Sequence, residues 1–196
     1  MWIISLKRNN RYCITGGIGS GKSYVCRLFR ERGIEVFDCD ASAKRCVLKP
    51  AVRDRLVRLI GPDAYVDGRY NKAEVTKFLL ASEANKLALN AIIHPAVIED
   101  FMSSGLQWME CAILYEANLQ DYVDGVVAVV APDEVRIRRI MQRDGITEEK
   151  ARAWLEAQMP QQEVLRRADY SICNDGVQPL EPQIEEILRS IQLQIS

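Results

Sequence analysis

The chain has 196 residues, of which 48% are apolar and 27% charged, and its formal net charge is -1. This composition predicts a globular protein with a sizeable core and excludes a disordered chain. The charge lacks the basic excess of dedicated nucleic-acid-binding domains, so we expect no nucleic-acid partner. The six cysteines form no CxxC pair and His94 is the only histidine, which disfavours a zinc site and predicts reduced thiols in a cytoplasmic protein.

The N-terminal residues 1–10 are predicted to form a tail ahead of one domain over residues 11–196. The apolar stretch Trp2–Leu6 contains Ser5 and is followed by charge, so it is too short for a signal peptide or a membrane span. No other segment approaches the length of a span. We therefore expect no membrane association.

Residues 11–37 carry the pattern of a strand–helix–strand unit. A β-prone run, Arg11–Thr15, is followed by a glycine-rich turn and a predicted helix over Lys22–Arg32. Gly33 ends that helix, and Ile34–Phe37 is a second predicted strand. This order predicts an α/β fold with a parallel sheet.

The stretch Asp40–Gly105 has mostly helical periodicity, interrupted by turn residues at 61–70. Pro95 is predicted to break or restart the last helix, because proline disfavours helical geometry at the preceding His94. Lying between predicted strands, residues from about 50 to 105 are interpreted as a helical insertion that covers a substrate.

The second half of the chain alternates between predicted strands and predicted helices. The predicted strands are Cys111–Tyr115, Asp124–Ala131 and Ala168–Asn174. The unbroken Val and Ala of the second one are typical of a parallel sheet. An arginine-rich helix begins after Pro132, another after the N-cap Thr147, and a third begins at Leu180 with an apolar stripe that predicts core packing.

The glycine-rich turn fits the phosphate-loop pattern GxxxxGK[ST] at every fixed position. Its glycines let several backbone N–H groups aim at one anion, and the following helix adds its positive end. Lys22 reaches the β- and γ-phosphates of a nucleotide, and the Ser23 hydroxyl helps to hold Mg²⁺. We therefore predict ATP and Mg²⁺ as ligands, with Ser23 at the metal. The predicted nucleotide-binding residues are Gly17, Ile18, Gly19, Ser20, Gly21, Lys22, Ser23 and Tyr24.

A phosphate loop alone does not separate kinases from other nucleotide-binding proteins. The nearest string to a guanine-reading motif, Asn71–Glu74, lies in the helical stretch, which disfavours a GTPase. No apolar strand ends in the acidic pair typical of motor ATPases. The small size favours a kinase of a small metabolite. The alternatives are a kinase of another small alcohol or nucleoside, and a non-catalytic ATP-binding module.

Two carboxylates follow the second predicted strand, at the edge of the sheet where ligands bind in open α/β folds. Asp38 and Asp40 are two apart, so on an extended chain they face the same side. Either is a candidate general base or Mg²⁺ contact. The alternative use of one of them is as the N-cap of the next helix.

The arginine-rich helix supplies the candidate cations Arg136, Arg138, Arg139 and Arg143. Arg139 and Arg143 are spaced i and i+4, so they share one helix face. With the turn at Asp144, the pattern predicts a mobile lid over residues 136–160. The alternative is a solvated charged face.

Several motifs, taken in order, resemble the dephospho-CoA kinase family. Beside the phosphate loop at Thr15–Ser23, the matching strings are Asp38-Cys39-Asp40, His94-Pro95, Ile113–Glu116, Arg138–Thr147, Gln158, Ala168-Asp169 and Asn174-Asp175-Gly176. The resemblance covers roughly Tyr12 to Leu188. Departures from the family at Tyr24, Cys39 and Ala112 remove no charged or phosphate-binding group.

The resemblance implies phosphorylation of the ribose 3′-hydroxyl of dephospho-CoA by ATP, with these two molecules as the partners of a monomer or weak homo-oligomer. It implies that Asp40 is the catalytic base, that Asp38 supports it in substrate binding, and that the helical insertion with His94 holds dephospho-CoA. Lys22 and Arg143 would neutralise the transferring phosphoryl group, and Arg139 would assist them and bind the nucleotide. The implied fold is the P-loop NTPase fold: a five-stranded parallel sheet flanked by helices, with an insertion and a lid.

Overall fold

The computed structural model describes residues 10–195. The predicted tail therefore lies outside the described residues except for Asn10. The chain divides into two compact units, which we call the sheet unit (residues up to Phe37 and from Leu106 onward) and the helical unit (Asp38–Gly105). Among the described residues, no helix combines the length and the apolar character that a membrane span requires.

The strands form one large sheet and one small hairpin. Their bounds are β1 (Tyr12–Thr15), β2 (Val36–Asp38), β3 (Tyr65–Val66), β4 (Arg69–Tyr70), β5 (Trp108–Glu110), β6 (Gly125–Val130) and β7 (Tyr170–Cys173). The sheet has five strands in the order β2-β5-β1-β6-β7. Strand β1 pairs in parallel on both sides, with Cys13 opposite Met109 of β5 and Val126 of β6. The predicted five-stranded parallel sheet is confirmed.

The helices flank this sheet or build the helical unit. Their bounds are α1 (Lys22–Glu31), α2 (Cys39–Cys46), α3 (Pro50–Ile60), α4 (Lys72–Ala81), α5 (Glu83–Ser104), α6 (Asp133–Asp144), α7 (Glu148–Glu156), α8 (Gln161–Arg167) and α9 (Leu180–Ile195). In the sheet unit, Val25 and Phe29 are one turn apart on α1 and fully buried. They share a core cluster with Trp108 of β5 and with Ile184 and Ile187 of α9. The predicted apolar stripe of α9 is thus a core-packing face.

The hairpin in the helical unit was not predicted from the sequence. Strands β3 and β4 are two residues each, which is too short for an alternating pattern. Between them Asp67 and Gly68 have φ angles of 49° and 76°, the left-handed conformations that a two-residue hairpin turn requires. The sequence therefore showed the turn residues but not the strands.

Pro95 does not break the last helix of the helical unit, so that prediction was wrong. Helix α5 runs without interruption from Glu83 to Ser104 and contains Pro95. Proline has no N–H, so the carbonyl of Ala91, four residues earlier, loses its helical donor. The guanidinium of Arg55, from α3, donates to that oxygen at 3.2 Å instead. A side chain from a neighbouring helix thus replaces the missing backbone hydrogen bond.

The predicted strand Cys111–Tyr115 was also wrong. The strand is β5, which ends at Glu110, and the apolar run that follows it forms turns. Leu114 and Tyr115 are nevertheless buried. Burial without a regular period explains the error, because an apolar run alone does not distinguish a buried strand from a buried turn.

A polar cluster around Asp100 joins two helices of the helical unit. The Asp100 carboxylate, on α5, accepts hydrogen bonds from Ser42 Oγ at 2.6 Å, Arg45 Nη2 at 3.1 Å and Lys49 Nζ at 3.0 Å. The hydrogen bonds from Ser42 and Lys49 lower the pKa of Asp100 to about 2. Because Asp100 is ionised in the folded state, the cluster holds α2 against α5 at neutral pH.

We expect the Asp100 cluster to make stability depend on acid pH. A pKa that is lower in the folded state stabilises fully above the ordinary value near 3.8, and the effect is lost as the pH falls through about 2. The partly exposed partners reduce its size to about 1 kcal/mol. Unfolding free energies from urea titrations between pH 5 and pH 2 should fall more for the wild type than for Asp100→Asn. Parallel curves for the two proteins would contradict this assignment.

Candidate active site

The sheet topology brings three distant segments to the phosphate loop. The loop follows β1, which lies between β5 and β6. In a parallel sheet the carboxyl ends of the strands share one edge, where ligands bind in open α/β folds. At that edge β5 ends with Glu110, α6 follows β6, and β7 is followed by Asn174. The residues that contact the loop are therefore far from it in sequence.

The backbone of the loop has the conformation that anion binding needs. Gly19 and Gly21 have φ angles of 77° and 87°, which residues with a Cβ rarely adopt. Gly21 is the N-cap of α1, so Lys22 and Ser23 are the first two residues of that helix. The first N–H groups of a helix have no intrahelical acceptor and can bind an anion. The strand–loop–helix context predicted for the motif is present.

Lys22 and Ser23 meet at one carboxylate. Lys22 Nζ forms an ion pair with Glu110 Oε1, and Ser23 Oγ donates to the same oxygen at 2.9 Å. Burial alone would raise the pKa of Glu110. The charge of Lys22, together with hydrogen bonds from Lys22, Ser23 and Cys26, outweighs burial and lowers its pKa. Glu110 is thus an ionised, nearly buried carboxylate beside the loop.

Glu110 was missed in the sequence. The pattern of a strand that ends in an acidic pair does not fit β5, which is three residues long and ends in a single acid. Together, the Ser23 hydroxyl and the Glu110 carboxylate are two hard oxygen donors, the ligand type that Mg²⁺ prefers. These two residues therefore fit the predicted metal.

Asn174 and Arg139 support the loop from the other side. Asn174 is buried, and its Nδ2 donates to Ser20 O at 2.9 Å. Arg139 Nη1 donates to Gly19 O and Ser20 O, each at 3.3 Å, while its Nη2 donates to Asn174 Oδ1 at 3.2 Å. Arg139, predicted to bind the nucleotide, is therefore tied to the backbone of the phosphate loop.

The other arginines of α6 divide between the interior and the surface. Arg136 is 5% exposed and donates from Nε to Ile18 O at 3.0 Å, so the solvated-face alternative does not hold for it. Arg138 is exposed. Arg143 has a side chain 61% exposed, and its Nη2 donates to Asp144 Oδ2 at 2.7 Å. The structure thus places Arg136 and Arg139 at the loop and Arg143 on a neighbouring carboxylate.

The predicted base and acceptor-binding residues belong to the helical unit. Asp38 is the N-cap of α2, where its Oδ1 accepts from Ala41 N at 2.8 Å, so the capping alternative holds for Asp38. Asp40 lies in the first turn of α2 and is exposed. The expectation that both carboxylates lie on extended chain was wrong, because the helix begins at Cys39. Within residues 10–195 the Asp40 carboxylate has no hydrogen-bond partner.

His94 and Tyr24 complete the predicted set. His94 lies half-buried on α5, and burial lowers its pKa, so the imidazole is neutral at pH 7 and suits hydrogen bonding rather than charge pairing. Tyr24 N donates to Gly21 O at 3.0 Å. Tyr24 is 45% exposed, and the guanidinium of Arg27 lies over its ring. Nucleotide binding by Tyr24 stays a prediction.

Comparison with known proteins identifies the family to which the sequence is similar. The family model of dephospho-CoA kinase (CoaE) matches residues 12–179. A dephospho-CoA kinase of Bacteroides fragilis is 38% identical, covering 89% of each chain. One of Chlorobaculum tepidum is 37% identical, covering 91% of this chain and 93% of the relative.

Solved structures agree with the sequence match. A Thermus thermophilus protein superposes with a TM-score of 0.78 at 32% identity, covering 95% of this chain and 98% of its own. Dephospho-CoA kinase from Campylobacter jejuni has a TM-score of 0.56 at 21% identity, over 95% of this chain and 97% of its own, a likeness of fold alone. On the family match and the two close relatives, the chain belongs to the dephospho-CoA kinase family.

Proposed function

We propose that this chain transfers the γ-phosphoryl group of ATP to the ribose 3′-hydroxyl of dephospho-CoA, giving coenzyme A and ADP. The observation that carries the proposal is the family match over residues 12–179, joined to a phosphate loop whose lysine and serine converge on Glu110. The nearly buried Glu110 carboxylate holds Lys22 and Ser23 together beside the loop, at the place where a triphosphate would bind.

Nucleotide binding follows from the loop. The amides at the start of α1 hold the β-phosphate, and Lys22 exchanges the Glu110 carboxylate for the β- and γ-phosphate oxygens. Glu110 and the Ser23 hydroxyl would hold Mg²⁺, which would supply positive charge to the phosphate oxygens. Glu110 thus pairs with Lys22 in the absence of nucleotide and would be free to hold the metal once Lys22 turns to the phosphates.

Acceptor activation is assigned to Asp40. Its carboxylate is exposed and unpaired among the described residues, so it is available to accept a proton from a ribose hydroxyl. Asp38 already accepts the Ala41 N–H and therefore holds the start of α2, the helix that carries Asp40. Neutral His94 is proposed as a hydrogen-bonding contact to dephospho-CoA.

We propose that Arg143 breaks its ion pair with Asp144 and then neutralises the transferring phosphoryl group. We expect Arg143→Ala to lower kcat on the order of 10²-fold, the loss typical of one charge-stabilising donor. Asp144→Asn should leave kcat near the wild-type value or raise it, because it frees Arg143. Steady-state kinetics with both substrates saturating measure the pair. Wild-type kcat for Arg143→Ala would assign Arg143 to the solvated face.

The proposed function is tested with purified protein, ATP, Mg²⁺ and dephospho-CoA. Formation of coenzyme A, measured by chromatography, should match ADP release one to one. ADP release that is equal with and without dephospho-CoA would overturn the acceptor. Adenosine and a panel of sugars serve as control acceptors, since faster turnover of one of them would identify a kinase of another small alcohol. Binding of ATP without any turnover would identify a non-catalytic module.

A further inference from the structure

Ile18, in the phosphate loop, contacts other parts of the protein through its N–H, its C=O and its side chain. Its N–H donates to Gln158 Oε1 at 2.7 Å, and its C=O accepts from Arg136 Nε at 3.0 Å. Its side chain packs against an apolar cluster whose buried members are Ile137, Ile140 and Ala151, on α6 and α7. We call this set of contacts the Ile18 clamp.

Two glycines of the loop make room for the clamp. A Cβ at Gly17 would lie 2.5 Å from Arg136 Nη2 and 2.9 Å from Gln158 Oε1. A Cβ at Gly19 would lie 2.7 Å from Arg136 O. The pattern GxxxxGK[ST] requires glycine at neither position. Glycine at these two positions therefore lets the side chain of Gln158 and the start of α6 approach the loop backbone.

The clamp requires the charged guanidinium of Arg136 to be buried. Arg136 is 5% exposed, and burial lowers the pKa of its guanidinium, with Asp133 acting in the opposite direction. Asp133 Oδ1, at 3.0 Å from Arg136 Nη1, belongs to a side chain that is 64% exposed. Burying a cation is unfavourable, and Asp133 compensates for it only partly because its side chain is solvated. We therefore infer that Arg136 is buried in order to hold the Ile18 carbonyl in place.

We propose that Gln158 and Arg136 are positioning residues of the phosphate loop, which act through Ile18 to set the direction of the following amides. They fix both hydrogen-bonding groups of Ile18, one residue before Gly19. The amides from Gly19 to Ser23 then present one arrangement to the β- and γ-phosphates. A misplacement of about 1 Å in such a cradle can cost on the order of 10²-fold in rate.

This inference rests on the proposed function for the reaction but has a test of its own. Gln158→Met keeps the length of the side chain and removes the acceptor of the Ile18 N–H. The matched control is Gln161→Met, because Gln161 Oε1 accepts from Ala131 N at 3.1 Å and, among the described residues, forms no hydrogen bond with the phosphate loop. Each variant is assayed for kcat, KM for ATP and melting temperature. The β-phosphorus resonance of bound ADP is recorded by ³¹P NMR.

For Gln158→Met we expect kcat to fall on the order of 10- to 100-fold and the β-phosphorus resonance to move. For Gln161→Met we expect kcat within about twofold of the wild type and an unmoved resonance, even where its melting temperature falls as far. Wild-type kcat and an unmoved resonance in Gln158→Met would overturn the proposal, as would equal effects of the two variants. Should Gln158→Met not fold, Gln158→Asn, which withdraws the amide from Ile18, takes its place. The ADP resonance needs no acceptor, so it decides this inference even if dephospho-CoA proves not to be the substrate.

Discussion

Replacing Asp40 with asparagine is expected to lower kcat by about 10²–10⁴-fold, the usual contribution of a positioned general base. Asparagine has nearly the same size and remains neutral, so it cannot accept the proton of the attacking hydroxyl. Asp40 is exposed on the first turn of α2, and the substitution should leave the fold and ATP affinity unchanged within a fewfold. Single-turnover kinetics with bound ATP isolate the phosphoryl-transfer step.

Asp38→Asn is the matched control for the base. It makes the same chemical change two residues earlier, and asparagine caps a helix about as well as aspartate, so the bond to the Ala41 N–H is kept. We expect Asp38→Asn to lower kcat much less than Asp40→Asn. If Asp38→Asn were the slower enzyme and Asp40→Asn kept its rate, the base would be Asp38.

Replacing Lys22 with alanine should lower kcat on the order of 10³-fold and also weaken nucleotide binding. The rate falls because the variant lacks the cation that neutralises negative charge on the γ-phosphate during transfer. The second effect arises because Glu110, with a side chain only 11% exposed, would keep its negative charge beside the phosphates with no cation to balance it. Kinetics give the first effect, and calorimetric titration with ADP gives the second.

Two further variants separate these contributions. Lys86→Ala removes an exposed lysine paired with Glu83 and should change neither kcat nor ADP affinity. With Mg²⁺ omitted, the double variant Lys22→Ala/Glu110→Gln should bind ADP more tightly than Lys22→Ala, because the uncompensated carboxylate is gone. Equal ADP affinities would show that Glu110 does not repel the phosphates, and wild-type kcat for Lys22→Ala would remove the lysine from the mechanism.

The parts of the molecule that the sequence predicted are those with a strong local signal. The phosphate loop, the helix α1 that it begins and the unbroken valines of β6 each occupy one continuous stretch. Thr147 was predicted as an N-cap from its own residue type and the residues directly after it. In the structure its Oγ1 accepts a hydrogen bond from Lys150 N at 3.3 Å. Such features depend on neighbours a few residues away, which a single sequence displays.

The parts that the sequence did not predict depend on contacts between distant residues. Glu110 meets Lys22 across 88 positions, and Gln158 meets Ile18 across 140. The sequence indicates Arg136 as a candidate cation and Gln158 as part of a family motif, yet no local pattern indicates that both contact one residue of the loop. Pro95 shows the same limit, because a donor on α3 satisfies the Ala91 carbonyl that the proline leaves without its helical partner.

The central position of β1 in the sheet affects how the protein folds during its synthesis on the ribosome. The neighbours of β1 are β5 and β6, whose first residues are Trp108 and Gly125, so nearly a hundred residues must be made before either edge of β1 is paired. Long-range parallel pairing of this kind is slow and leaves apolar edges exposed. A nascent chain that has emerged only as far as α5 therefore carries the nucleotide motif before the strands that flank β1 have been made.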